Sequence, residues 1–340
     1  MLKITNMSKI YVLCPYKTKT GGTELLHQLV HELNKNNHDA HIVYLGVPNN
    51  QVGDITTGFE SYVSNSVSVN TINNSKENIL VVPEVFTFDI IDKFNNIQKV
   101  IWWLSVDNFV KNNGFINHLK FWGFAKALSH TIKRLYKLNS IKEISSLGDI
   151  HLCQSHYAID FLIKSGVAKE KIEYLSDYIN EVYLEKEHSI NNREDVVLYN
   201  PKKGYKFTEK LIKAAPDLKW VPLINLTTSQ VQELVSKSKV YIDFGNHPGK
   251  DRFPREAAIS GCCIITGKNG SASYYEDVMI DDQFKFDCNE NNISAIVDKV
   301  RNCINNYNEY NGYFDRYREM IRNEKNIFSK DVTKIFKSRI

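Results

Sequence analysis

The feature that most restricts the fold is a recurring unit: a compact, unbroken apolar run followed by a stretch with helical periodicity. "KIYVLCP" (9–15) ends at Pro15, and "GGTELLHQLVHELNKNN" then places Leu25, Leu26, Leu29, Val30 and Leu33 on one helical face. "HIVYLG" (41–46), "NILVVPEVF" (78–86), "KVIWWLSV" (99–106) and "DIHLCQS" (149–155) continue the series. Strands with one solvated face alternate apolar and polar residues, whereas runs that are apolar throughout suit parallel strands covered by helices on both sides. Residues 48–78 are rich in Asn, Ser, Thr and Val and show no such period, so no element is assigned there.

The pattern then restarts. "LEKEHSINNRED" (184–195) is polar and charged, as a linker is. Beyond it come strand "VVLYNP" (196–201), helix 207–215, strand "KWVPLI" (219–224), helix 228–238, strand "VYIDFG" (240–245), helix 254–260 and strand "CCIITG" (262–267). The expected fold class is therefore α/β, with two doubly wound domains in tandem, residues 1–188 and 189–312. A tail over 313–340 follows. Tyr307, Tyr310, Tyr313, Phe314 and Tyr317 recur at helical spacing, so the chain is expected to close in helices that return to pack on the body, the tail on the first domain.

Composition adds exclusions. A chain of 340 residues exceeds one ordinary core and suits two domains. Hydrophobic content of 42% and charged content of 24% are those of a globular protein. The six cysteines, Cys14, Cys153, Cys262, Cys263, Cys288 and Cys303, form no CxxC pair and read as small apolar fillers in a reducing cytosol. The opening "MLKITNMSKIYVLCPYKTKT" has too short an apolar run for a signal-peptide core, and no run reaches the roughly 18 apolar residues of a membrane span. A cytoplasmic location is expected.

In open α/β sheets, ligands bind beyond the carboxyl ends of the strands. Three polar clusters fall at such places. In "TKTGGTE" (18–24), Gly21 and Gly22 open a helix. Either they let backbone N–H groups approach an anion, or they form a tight turn in which Glu24 serves the helix dipole. In "NPKKGYKF" (200–207), Lys202, Lys203 and Lys206 beside Gly204 either neutralise a diphosphate or form a solvated lysine face. In "HPGKDRFPREAAISGCC" (247–263), His247, Lys250 and Arg252 precede Pro254, which is expected to start a helix with Glu256 in its first turn. Ala257, Ala258 and Ile259 bury that helix at once, so charges on its first turn point into a ligand site. A solvated helix-end cluster would be worth only about 0–1 kcal/mol.

These segments resemble a family. "GGTELLHQLVHELNKNNHDAHIVYLG" is similar to the amino-terminal signature of family-four-type glycosyltransferases of bacterial surface polysaccharides, in which GG-x-E precedes a Leu-rich helix. "DIHLCQSHYAIDFLIKSGVAKEKIEYLSDYINEVYL" resembles the segment that closes their first domain. "NPKKG" stands where they have a Lys-Gly donor loop, and "FPREAAISGCCIITG" resembles their glutamate helix. The resemblance is patchy over 48–148. It departs at Pro248, eight positions before Glu256, where the family has the first of two paired glutamates. Lys250, Asp251 or Arg252 would then take over part of that residue's task.

The resemblance implies the GT-B fold, two Rossmann-like domains facing across a cleft, with the acceptor on the first domain and a nucleotide-diphosphate sugar on the second. It implies Gly21 and Gly22 near the donor phosphates. Asn200, Lys202, Lys203, Gly204, His247, Lys250 and Arg252 would surround the donor, and Glu256 would accept hydrogen bonds from its ribose. Lys203 and Arg252 would balance the departing diphosphate, electrostatic work that needs neither metal nor cofactor. The reaction would be a hexosyl transfer with retention. Asp107, in "WWLSVDN" (102–108), either binds or deprotonates the acceptor hydroxyl or caps a helix.

From Phe109 to Lys142 there are seven Lys or Arg and no Asp or Glu, interleaved with aromatic and aliphatic residues. Such a segment suits docking on an anionic membrane, although a core-facing helix with a lysine outer face has the same composition. No nucleic-acid-binding motif accompanies the charge. The expected acceptor is a saccharide or lipid-linked saccharide, reached from the inner face of the plasma membrane. The rival expectations are a nucleotide-sugar epimerase of the same architecture and a non-catalytic sugar-nucleotide-binding subunit.

Overall fold

The computed structural model describes residues 2–86, 90–113, 144, 146–184 and 191–338. The chain forms two compact units, Met1–Asp177 with Asn326–Ile340, and Tyr178–Lys325. The expected boundary at 188/189 and most of the basic segment 109–142 lie outside the described residues.

The first unit is built on β1 (Lys9–Pro15), β2 (Asp39–Leu45), β3 (Ser66–Val67), β4 (Ile79–Pro83), β5 (Gln98–Trp103), β6 (Ile150–Cys153) and β7 (Ile172–Tyr174). They form one parallel sheet in the order β3-β2-β1-β4-β5-β6-β7. Helices α1 (Gly21–Lys35), α2 (Val106–Asn113) and α3 (His156–Lys164) connect them. The unbroken apolar runs are what the sheet requires: Ile10, Val12, Leu13 and Cys14 have no exposed surface. The periodic leucines of α1 are likewise buried, each such side chain stabilising the fold by about 1.5–3 kcal/mol. Residues 48–78 contribute only the two-residue β3 and 3-10 turns, as their polar composition dictates.

The second unit carries β8 (Glu194–Tyr199), β9 (Lys219–Pro222), β10 (Ser238–Asp243), β11 (Cys263–Gly267) and β12 (Lys285–Phe286). Its parallel sheet runs β12-β11-β10-β8-β9. Helices α4 (Tyr205–Ala214), α5 (Thr228–Lys237), α6 (Arg252–Ile259), α7 (Ile293–Asn305) and α8 (Tyr307–Gly312) belong to it. Of the aromatic stripe, Tyr307, Phe314 and Tyr317 are buried in the core while Tyr313 is exposed, and the Tyr307 hydroxyl donates to the Gly261 carbonyl at 2.7 Å. All six cysteines are free thiols.

Helix α9 (Asp315–Ile335) serves both units. Its early turns place Tyr317 and Ile321 in the second unit's core. Its later turns bury Phe328 and Val332 and reach α1 of the first unit, where Ser329 donates to Glu32 and Asn36 to Thr333. No helix among the described residues is long and apolar enough to cross a membrane.

Each sheet has one point where the chain reverses its direction of travel. In the first unit it lies between β1 and β4, in the second between β8 and β10. Connections diverge there and leave a crevice at the strand ends, which is where doubly wound sheets bind ligands.

Candidate functional site

In the second unit, the loops leaving β8 and β10 flank the reversal point and touch. Gly204 adopts φ +64° as the residue preceding α4, and a Cβ there would lie 2.3 Å from the Phe244 carbonyl oxygen and 2.6 Å from the Gly245 nitrogen. Only glycine fits so close an approach in that conformation. Asn200 shapes the loop locally, its side chain accepting from the Lys202 N–H at 3.0 Å and its carbonyl from the Lys203 N–H at 3.2 Å. Lys202 is exposed, whereas the half-buried Lys203 reaches the other loop and pairs with Asp251 at 2.7 Å.

Asp251 precedes α6 but does not cap it with its side chain. Its carboxylate holds Lys203 on one side and the His247 Nδ1 on the other, at 3.2 Å. Burial opposes charge on Asp251, but the His247 and Lys203 cations outweigh it and hold its pKa below the usual carboxylate value. The Nε2 of His247 faces Asp243 at 3.6 Å, and Asp243 also accepts from the Tyr241 hydroxyl and the Gly245 N–H. Burial disfavours imidazolium, yet Asp251 and Asp243 together raise the His247 pKa above its usual value. The His247 carbonyl accepts from the Ser271 N–H at 2.9 Å, which joins the loop after β11 to the cluster. Asp243, His247 and Asp251 bring one potential metal ligand each within 4.8 Å of one another, a grouping unique among the described residues. Lys203 already neutralises Asp251, and His247 stands between the two carboxylates, so the set fits a charge-paired cluster rather than a metal centre.

Three expectations need correction. Helix α6 starts at Arg252, so Pro254 is its third residue and Glu256 lies in the second turn. Proline is tolerated anywhere in the first turn, where N–H groups have no partner within the helix, and so it does not mark the start. Lys250 is not turned to a ligand site. It is buried and pairs with Glu324 of α9 at 2.9 Å. His247 has no exposed surface and reaches no ligand directly.

Arg252 opens α6 and is partly exposed. Glu256 accepts a hydrogen bond from the Tyr183 hydroxyl, whose pKa is raised by burial and by that carboxylate. In this unit three important residues escaped the sequence reading: Tyr183, Arg255 and Glu324. The fully buried Arg255 guanidinium bonds Glu324 at 2.8 Å and the carbonyls of Lys250 and Asp251. An arginine inside an otherwise apolar helix face was the available signal for such a pair.

In the first unit, Gly21 and Gly22 form the first turn of α1 behind a Thr20–Thr23 capping box. A Cβ on Gly22 would meet Leu104 at an ordinary 3.6 Å, so packing alone does not demand glycine there. Glu24 accepts from the Tyr62 hydroxyl at 2.9 Å. Asp107 is not the cap of α2. Ser105 does that work, its hydroxyl accepting from the Asn108 N–H at 3.2 Å, while Asp107 accepts from the Tyr157 hydroxyl at 2.9 Å.

Glu84, at the end of β4 and so at the reversal point, was not foreseen. Its carboxylate accepts from the Leu104 N–H at 3.0 Å, and burial lifts its pKa to about 8 against the pull of backbone N–H groups. It secures the entry to the helix that carries Asp107.

No family model and no curated protein matches the chain. Solved structures do. Sucrose-phosphate synthase from Thermosynechococcus elongatus superposes with a TM-score of 0.63 at 8% identity, covering 97% of this chain and 98% of that one. Anabaena HepE, solved with UDP-glucose, gives 0.63 at 10% identity over 96% and 98%. S. aureus TarM, solved with UDP, gives 0.55 at 14% identity over 79% of this chain, which spans only 57% of the TarM chain. Two parallel α/β units with these likenesses establish the fold as that of the GT-B glycosyltransferases.

Proposed function

We propose that the protein is a glycosyltransferase that takes a nucleotide-diphosphate sugar at the strand ends of its second unit. The observation that carries this is the meeting of Lys203, Gly204, Asp251 and Arg252 at the reversal point between β8 and β10. Gly204 lets backbone approach the phosphates closely. Lys203 and Arg252 supply cations for the departing diphosphate, which stabilise the transition state more than the ground state. Glu256, held by Tyr183, accepts from the ribose hydroxyls. HepE and TarM were solved with UDP-glucose and UDP respectively, which favours a uridine nucleotide.

The acceptor belongs to the first unit, where Asp107 is the residue that binds or deprotonates its hydroxyl and Gly21 and Gly22 present backbone N–H groups. Transfer proceeds with retention and without a metal, the charge being balanced by side chains. A saccharide or lipid-linked saccharide of a surface glycan is the acceptor class that fits the acid-free basic stretch 109–142, which would meet an anionic membrane from the cytoplasmic side.

A panel of nucleotide sugars is expected to contain one that raises the melting temperature by several degrees at saturating concentration, since a ligand selective for the folded state stabilises it. Glu256→Ala should weaken that ligand about ten- to hundredfold, the worth of a charged hydrogen bond, with the fold intact. No shift with any nucleotide sugar at millimolar concentration would refute the donor site. Donor turnover without any acceptor would favour an epimerase, and binding without turnover a non-catalytic subunit.

A further inference from the structure

We infer that His247 is a positioning residue whose protonation frees Lys203 to leave Asp251 and engage the donor diphosphate. This rests on the donor reading above. Asp251 is largely withdrawn from water and has two cationic partners, Lys203 at 2.7 Å and His247 at 3.2 Å. A buried carboxylate without a partner is costly, so Lys203 can move to a phosphate only if His247 keeps Asp251 paired. With neutral His247, the Lys203 ammonium is the charge that Asp251 needs and stays pinned to it.

The arrangement around the ring supports this. The groups facing His247 are Asp243 from the end of β10, Asp251 from the start of α6 and Lys203 from the loop after β8, with Tyr241 bonded to Asp243 behind it. The loop after β11 offers its backbone, the Ser271 N–H bonding the His247 carbonyl. His247 has no exposed surface, so it acts through Asp251 and not on the ligand. Two carboxylates and two cations balance at rest. Lending Lys203 to a diphosphate leaves two carboxylates on one imidazolium, which binds its proton more tightly still.

Donor binding must therefore be linked to proton uptake. The imidazolium, already favoured in the free protein, is favoured further in the complex, so affinity is full below the His247 pKa and falls as pH rises through it. A nucleotide-diphosphate sugar is the right probe, because its doubly esterified diphosphate does not titrate near neutrality. Calorimetry with UDP-glucose, UDP-N-acetylglucosamine and GDP-mannose, in buffers of different ionisation enthalpy, reads the proton directly. The expected result is net uptake of up to one proton and a dissociation constant rising about tenfold from pH 6 to pH 8.5. His247→Gln should bind weakly and independently of pH, and Lys203→Met should lose the proton uptake. Wild-type binding without proton uptake, a pH profile that survives in His247→Gln, or stoichiometric metal in the purified protein would each overturn this inference. Absence of binding by every probe at every pH would instead overturn the donor reading beneath it.

Discussion

Replacing Glu324 by alanine is expected to destabilise the second unit by about 3–5 kcal/mol, the cost of breaking a buried ion pair from one side. Glu324 holds Lys250 at 2.9 Å and Arg255 at 2.8 Å, and all three side chains are nearly or fully buried. Removing the carboxylate that pairs with both takes a shared counter-charge from two buried cations, which is worse than losing a neutral contact. The melting temperature should fall on the order of 10 °C. A double variant that also changes Arg255 to methionine should recover part of the loss, because it removes one of the two buried cations. Denaturant unfolding monitored on both variants is the check. A loss below about 1 kcal/mol would mean that the cluster is solvated and behaves as a surface pair.

Gly204→Ala is expected to be the most damaging single-methyl change for ligand binding. At φ +64° an alanine costs about 1–2 kcal/mol of backbone strain. Its Cβ would also lie 2.3 Å from the Phe244 carbonyl oxygen, and a backbone atom has no rotamer by which to yield. The loops after β8 and β10 would have to separate, taking Lys203 from Asp251. Loss of nucleotide-sugar affinity by at least about tenfold is expected, with a lowered melting temperature. Gly22→Ala is the contrast: with 3.6 Å to Leu104 and no special φ, its fold should be unaffected, and only a bound ligand would report it. Equal affinity in Gly204→Ala and wild type would show that the contact between the two loops is irrelevant to the site.

How much was legible follows from the range of the interactions. Strand β1 and helix α1 fall where the sequence puts them, because an apolar run, Pro15 and a capping box are local signals. Strand β5 stops at Trp103, short of the expected end at 106, because Glu84 takes the Leu104 N–H and the chain turns into α2. Strands β7 and β12 passed unseen, being short, only partly apolar and at sheet edges. The charged loop 247–256 was recognisable as a polar cluster at a strand end, but not which of its charges are buried and paired within the fold. Lys250 reads as a donor-binding residue in the sequence, and Arg255 is given no role there. Their partner stands 69 residues beyond Arg255 on another helix, and nothing local announces it. His247 likewise reads as a donor-binding residue and is instead the buried hub of three loops.

Helix α9 has a consequence for how the protein is made. Residues 326–338 complete the first unit, burying Phe328, Val332 and Phe336, yet the ribosome produces them only after the whole second unit. During synthesis the first unit must wait with part of its α1 surface uncovered, including the ground on which Ser329 and Thr333 will land. The nascent chain thus carries an unfinished first half until the second half is complete. A fragment ending at residue 325 would preserve that state indefinitely, with a surface ready to capture the missing segment if it were supplied as a separate peptide.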